Sequence, residues 1–198
     1  MKRALTTIIA AVFTFGSLQV SAALIDFNDL AGAGMVNRGT SYSEDGYTLT
    51  KGGGEPHNFF SIHSGNYRYT GSVSFFNNTI GGVTTLSQDG GGAFDLLSID
   101  LDSLNGGSPV AVTFEGILAG GGSVMQTFVT DAIHTSLETF VFSGFTNVVS
   151  VSWAQQSPFH QFDNIVTAEL EVDVPEPGTL GMLGLGLFGL AAMRRKTR

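Results

Sequence analysis

Apolar and polar residues alternate with a period of two along much of the chain. The alternation is clearest at residues 110–115, 149–154 and 162–167. A period of two places successive side chains on opposite faces of a β-strand, so each segment predicts a strand with one face toward a core. The apolar phase reverses between Leu96 and Leu97, which predicts a β-bulge at that point.

The alternation also assigns individual side chains to a face. It places Trp153 in the core with Val151, and it places Phe162, Asn164 and Val166 together on one face. Further strands are predicted at 24–30, 46–50, 58–62, 67–70, 73–76, 83–87, 94–101, 123–130 and 138–143. Roughly eleven short strands separated by glycine-rich turns predict an all-β fold, a single β-sandwich or jelly-roll domain.

The first 22 residues have the three-part plan of a secretory signal peptide. Lys2 and Arg3 precede an uncharged apolar run, and Ser21 and Ala22 provide the small residues of a cleavage site after Ala22. Cleavage after Ala23 fits nearly as well. An uncleaved anchor is the alternative, but the strand-like residues that follow favour removal of the segment. We therefore expect the folded body to occupy residues 23–172.

The C-terminal segment, residues 173–198, combines a stiff triplet, an apolar stretch and a basic end. Pro175, Glu176 and Pro177 form the triplet, and proline on both sides makes it a poor start for regular structure. Residues 178–193 carry no charge and predict a helix of about 24 Å, slightly short of a bilayer core. The basic residues after this helix would stay on the cytoplasmic side as a stop: Arg194, Arg195, Lys196 and Arg198.

This triplet, span and basic end, in that order, resemble the PEP-CTERM sorting signal of Gram-negative bacteria. The resemblance implies that exosortase, a membrane-embedded transpeptidase, removes the tail near Pro175–Pro177 after export by the secretion machinery. It also implies a precursor anchored in the cytoplasmic membrane, whose body then passes to the cell surface or the exopolysaccharide matrix. An ordinary C-terminal membrane anchor is the alternative.

The body shows a second, weaker resemblance, to jelly-roll ectodomains of PEP-CTERM proteins. The matching segments are residues 41–47, 92–99, 144–153 and 162–165. This pattern is similar to carbohydrate-binding-like folds. It implies the architecture but no ligand, because such folds carry many functions.

Charge and composition exclude several functional classes. Between residues 23 and 174 there are three basic residues, Arg38, Lys51 and Arg68, against sixteen acidic ones, a net charge of −13. So acidic a body would repel phosphate backbones, so we expect no nucleic-acid partner. The absence of cysteine excludes disulfides, zinc–thiolate sites and cysteine nucleophiles.

The sequence contains no motif that predicts catalysis. His57 and His63 flank two phenylalanines without a carboxylate at metalloenzyme spacing, and we expect both to be surface residues. No serine lies in a nucleophile elbow. The chain is therefore predicted not to be an enzyme.

Calcium is the metal that the acidic residues favour. Asp26 and Asp29 lie near the predicted first strand, and Asp163 and Asn164 lie in the last one. First and last strands of jelly rolls are often close, so these four side chains could supply oxygen ligands to a structural Ca²⁺. The alternative is that Asp163 and Asn164 bond backbone groups at a strand end.

Two tyrosines are the candidate glycan platform. Tyr67 and Tyr69 are in phase on the predicted strand 67–70, so they would share an exposed face on which sugar rings could stack. The sequence favours a non-catalytic surface or matrix protein that contacts exopolysaccharide. The alternatives are a secreted hydrolase of matrix polysaccharide and a self-associating structural protein.

Overall fold

A computed structural model describes residues 22–53 and 58–169, which all fall within one compact unit. They form thirteen β-strands and one short 3₁₀ turn, Asp89–Gly91. The strands are β1 (Ala22–Ile25), β2 (Met35–Gly39), β3 (Ser41–Glu44), β4 (Tyr47–Gly52), β5 (Phe59–Ile62), β6 (Ser74–Asn77), β7 (Val83–Gln88), β8 (Phe94–Ser103), β9 (Ala111–Leu118), β10 (Ser123–Val129), β11 (Glu138–Val141), β12 (Val148–Ala154) and β13 (His160–Glu169).

The strands pair antiparallel in two runs. One run has the order β3, β4, β7, β12, β9, β10, and the other has the order β2, β5, β6, β13, β8, β11, with β1 also on β13. A single pairing of Val148 with Phe94 joins the two runs. The runs enclose one main core, so the predicted all-β sandwich of jelly-roll type is confirmed.

Aromatic rings from both runs fill this core. Trp153 on β12 meets Phe162 on β13 with ring centroids 5.2 Å apart, and Phe75 on β6 stacks on Phe27 at 4.6 Å. Trp153 is only 2% exposed, which confirms its predicted core position. Edge-to-face and offset ring pairs of this kind add to the hydrophobic stabilisation of the two facing sheets.

Two bulges set which side chains of β8 and β13 face the core. Leu96 pairs with Thr167 and Ser98 with Val166, so Leu97 is an extra residue and the predicted bulge is confirmed. A second irregularity lies at Asn164, whose φ of 46° is left-handed. It changes the phase of β13, so the prediction that Phe162, Asn164 and Val166 share one face is wrong.

Some strand predictions differ from the structure because short polar segments carry little periodic signal. β2 and β3 were not expected, since their apolar residues are few. Conversely, the predicted strand at 67–70 is wrong, because these residues belong to the loop between β5 and β6.

Several predictions concern residues outside the described part of the chain. They are His57, almost all of the signal peptide at 1–22, the triplet Pro175–Pro177, the apolar segment 178–193 and the basic end 194–198. Within residues 22–53 and 58–169, no helix has the length and hydropathy that crossing a bilayer requires.

The first and last strands are neighbours, as expected for a jelly roll. Ala22 pairs with Ala168 and Leu24 with Val166, so β1 lies along the C-terminal half of β13. The N-terminal end of β13 lies instead beside the loop between β5 and β6, which forms the candidate site.

Candidate functional site

The loop between β5 and β6, residues 63–73, folds through turn-forming residues. The Asn66 side-chain oxygen accepts a hydrogen bond of 3.0 Å from the backbone N–H of Arg68, and the Asn66 N–H donates to the carbonyl of His63. Gly65 and Gly71 have φ values of 89° and 110°, which residues with a Cβ rarely adopt. Local turn chemistry therefore explains why this segment is not a strand.

A buried polar chain fixes the loop on the outer face of the sheet. The Gln161 amide Nε2 donates to the carbonyl oxygen of Arg68 at 3.2 Å and to Oδ2 of Asp102 at 2.9 Å. Gln161 is itself held by the hydroxyl of Ser74, which donates to its Oε1 at 2.7 Å. Since Gln161, Asp102 and Ser74 are fully buried, the loop backbone at Arg68 has a rigid support.

Tyr67 and Arg68 form a preorganised pair at the surface. The Arg68 guanidinium lies over the Tyr67 ring, 4.3 Å from its centroid, while the tyrosine remains 67% exposed. Nε and Nη2 of Arg68 both donate to Oδ1 of Asn105, at 3.1 and 2.8 Å. His134 approaches the Tyr67 ring at 6.5 Å between ring centroids. Three loops that are distant in sequence therefore meet at this pair.

A shallow pocket of about 150 Å³ opens beside Arg68. Its lining consists of four apolar and three polar residues: Met35, Phe76, Leu104, Phe159, Arg68, Asn78 and Asn105. The volume is below the ~300 Å³ of pockets that enclose drug-sized ligands, so it suits one ring or side group of a larger ligand. The lining combines apolar side chains with amide and guanidinium groups, which are the groups that contact the apolar face and the polar edges of a sugar ring.

The predicted platform of two tyrosines is only half present. Tyr67 is exposed, but Tyr69 is partly buried and packs against the small outer cluster of Ile62, Phe76 and Leu104. The hydroxyl of Tyr69 donates to the carbonyl of Gly71 at 2.7 Å, so it stabilises the loop. Because both tyrosines lie in a loop, the expectation that they share one strand face is wrong.

The acidic residues predicted to hold calcium are only partly brought together. Burial raises the pKa of Asp163 to about 7, and the charges of Asp100 and Asp26 raise it as well, although hydrogen bonds oppose the shift. Oδ2 of Asp163 accepts from the hydroxyl of Ser72, and Oδ1 accepts from the N–H of Asn164 at 2.8 Å. Oδ1 thus bonds a backbone group at the bulge, as the alternative interpretation expected, whereas Oδ2 bonds a side chain of the loop.

The side chains of Asp29 and Asn164, two further predicted calcium ligands, interact with different groups. Asp29 is exposed, and its charge acts on the phenol of Tyr42. Asn164 donates through Nδ2 to Oδ2 of Asp100 at 2.8 Å. Among residues 22–53 and 58–169, no three histidine, aspartate or glutamate side chains are arranged to hold a metal ion. Calcium at Asp26, Asp29, Asp163 and Asn164 therefore stays a prediction.

A serine and a histidine meet at β5. Ser61 Oγ lies 2.8 Å from Nε2 of His63, and Nη2 of Arg38 lies 2.9 Å from the same nitrogen. Since a guanidinium can only donate, Nε2 accepts from Arg38 and carries no proton, and burial together with Arg38 lowers the pKa of His63. His63 is 3% exposed and Ser61 fully buried, so the surface position predicted for His63 is wrong. A serine without access to solvent cannot attack a substrate, so this group is structural.

Sequence reasoning missed the polar partners of the site. The sequence identified Arg68 only as one of three basic residues of the body, and it did not single out Asn105. The one available signal was the adjacency of Arg68 to the exposed Tyr67. The pairing of Arg68 with Asn105 spans 37 residues and becomes visible only in the fold.

Comparison with known proteins identifies the C-terminal segment. The PEP-CTERM protein-sorting motif matches residues 173–196, so the predicted sorting tail is confirmed as a match to that motif. No curated protein matches the chain.

Solved structures with a similar chain path include carbohydrate-binding modules. A mutant family 29 module complexed with mannohexaose is 12% identical, with a TM-score of 0.45, over 76% of this chain and 93% of that one. The family 11 module from Clostridium thermocellum, in complex with a β-1,3-1,4-mixed-linked tetrasaccharide, is 14% identical, with a TM-score of 0.34, over 76% and 96%. Likenesses this distant carry no argument about a ligand.

Proposed function

We propose that this chain is an exported surface or matrix protein whose sandwich domain binds polysaccharide without catalysing a reaction. The binding site is the Tyr67–Arg68 loop with the adjoining pocket. The observation that carries the proposal is the exposed Tyr67 ring, which is held by Arg68 and lies beside a pocket lined by apolar side chains and by the amides of Asn78 and Asn105. Exposed aromatic rings of this kind stack on the apolar face of a sugar.

The geometry also favours binding over turnover. Of the seven residues that line the pocket, none is an aspartate, glutamate, histidine or serine. A glycosidase needs two carboxyl groups on either side of the scissile bond. The buried Ser61–His63 pair does not supply a nucleophile at the surface either, so no described feature favours the hydrolase alternative.

Binding of the purified full-length chain to a panel of neutral and acidic polysaccharides tests the proposal. We expect Tyr67→Ala to weaken binding about tenfold, since stacking of one aromatic ring contributes on the order of 1–1.5 kcal/mol. Met125→Ala is the matched control, because Met125 is 64% exposed on β10, in the other run of strands. Equal binding by the wild type and Tyr67→Ala, or release of reducing ends by the wild type, would contradict the proposal.

The sorting motif supports a proposal about the cellular location of this domain. We propose that the chain is exported through its signal peptide, held in the cytoplasmic membrane by its tail and processed by exosortase. Mass spectrometry of the protein from its native cells should show an N-terminus at Ala23 or Leu24 and a C-terminus near Pro175–Pro177. A form that retains Met193 and Arg194 would show that the tail is not removed.

Structural calcium at Asp26, Asp29, Asp163 and Asn164 is a separate proposal, supported by the negative charges of Asp26 and Asp100 that act on Asp163. If Ca²⁺ binds there, millimolar Ca²⁺ should raise the melting temperature of the wild type but not of Asp26→Asn. Light scattering with and without Ca²⁺ tests the self-associating alternative, which predicts that the particle size increases. No shift in melting temperature would end the calcium proposal without affecting the glycan site.

A further inference from the structure

No described residue near the candidate site supplies a counter-ion for Arg68. Both of its side-chain hydrogen bonds go to Oδ1 of Asn105, a neutral amide oxygen. Within residues 22–53 and 58–169, no carboxylate lies within ion-pair distance of this guanidinium, and the pocket lining contains no other charged residue. In a body with a net charge of −13, an unneutralised arginine in a pocket is exceptional.

The other described arginine illustrates the contrast. Arg38 is used entirely within the fold, because it donates to Ser61 Oγ, to the carbonyl of Ala31 and to the imidazole of His63. Arg68 is instead partly exposed and lines a pocket. The two arginines have different roles, since one stabilises β2 against β5 and the other presents its charge to solvent.

The guanidinium of Arg68 is fixed in an orientation that leaves donors free. The Tyr67 ring covers one face, and Asn105 occupies the side that carries Nε and Nη2. A guanidinium has five N–H donors, so three remain, and two of them lie on the Nη1–Nη2 edge. This edge matches the two oxygens of a carboxylate in a bidentate pair. Because the side chain is already held, little rotamer entropy is lost when the pair forms.

We propose that this site selects an acidic polysaccharide, with a sugar carboxylate on the free edge of Arg68 and the same sugar's ring against Tyr67. The inference rests on the proposed function and names its ligand class. A neutral sugar would leave Arg68 paired only with Asn105 and water. A uronic acid satisfies the guanidinium and the aromatic ring at once.

The test uses polygalacturonate and its fully methyl-esterified form, which share a backbone but differ in charge. We expect the full-length wild-type chain to bind the acid about tenfold more tightly than the ester. Arg68→Gln should lose this preference, whereas Lys51→Gln, which changes the net charge equally on β4, should keep it. Arg68→Lys keeps the charge without the fork and should retain only part of the preference.

A second variant tests the proposal without removing the arginine. Asn105→Asp changes the amide into a carboxylate at nearly the same volume, so it supplies an internal counter-ion for Arg68. We expect it to bind the acid no better than the ester, while the melting temperature stays close to that of the wild type. If Asn105→Asp or Arg68→Gln keeps the wild-type preference, the proposal is overturned.

The outcomes separate this inference from the proposed function. Binding of neutral polysaccharides that depends on Tyr67 but shows no preference for the acid would overturn the acidic ligand and leave the glycan site standing. Failure to bind any member of the panel would overturn both. Tight binding of the acid that Lys51→Gln weakens as much as Arg68→Gln would show a general charge effect and also contradict the inference.

Discussion

Asp163 should make the stability of this protein fall as the pH rises. The carboxyl is fully buried, and burial raises its pKa to about 7 from an ordinary value of 3.8. Between these two pH values the folded state holds the proton and the unfolded chain does not. The stabilising effect of that proton is therefore complete below pH 3.8 and is lost as the pH rises through 7.

The expected magnitude follows from the two pKa values. Between pH 5 and pH 8 the linkage removes about 2.5 kcal/mol from the free energy of unfolding. Asp163→Asn abolishes this titration, while its side chain can still accept from the Asn164 N–H and pair with the Ser72 hydroxyl. The difference in free energy of unfolding between the variant and the wild type should therefore shift by about 2.5 kcal/mol in favour of the variant from pH 5 to pH 8.

Urea unfolding followed by tryptophan fluorescence measures this difference. Trp153, the single tryptophan of the chain, lies in the core and should report the loss of tertiary structure. Other titrating groups, including Asp102 and His160, are common to both proteins and cancel in the comparison. Asp29→Asn, a change at an exposed carboxylate, is the matched control and should follow the wild type. Parallel stability profiles for the wild type and Asp163→Asn would refute the reasoning.

Three further predictions concern the core. Gly116→Val should destabilise the fold by about 1–3 kcal/mol, because a Cβ at Gly116 would lie 2.9 Å from the ring of Phe145; an unchanged urea midpoint would contradict this. Phe162→Ala should cost about 3–5 kcal/mol and lower the melting temperature, since the ring is fully buried between the sheets; a loss below about 1 kcal/mol would show that the core can close around the gap. Burial lowers the pKa of His160 to about 3, so stability should fall as the pH drops below ~6.5, where the unfolded chain takes up the proton. At pH 4 the free energy of unfolding of His160→Gln should have fallen by roughly 3 kcal/mol less than that of the wild type. An equal decrease in both proteins below pH ~6.5 would contradict this prediction.

The fold class follows from the sequence because a two-residue period survives wherever one face of a strand is buried. The same signal located the bulge at Leu97, where two apolar residues stand side by side and only one of them can face the core. It failed at Asn164, because the left-handed backbone there changes the phase without any change in polarity. Ile165 is buried although the alternation assigned it to the outer face.

The candidate site was harder to predict because its parts come from separate loops. The alternation of Tyr67 and Tyr69 with polar neighbours imitates a strand, but Gly65 and Asn66 start a turn just before it. A sequence pattern reports local periodicity and does not report which loops meet. The contact between Arg68 and Asn105 depends on the whole arrangement of β5, β6 and β8.

β13 connects two distant parts of the domain. Its start, next to Phe159, borders the pocket, and its end at Glu169 lies beside Ala22, on β1. Ten residues of strand separate the two points by roughly 30 Å. Ala22 and Glu169, the first and last residues that the structure describes, therefore both lie at the end of β13 that is remote from the pocket.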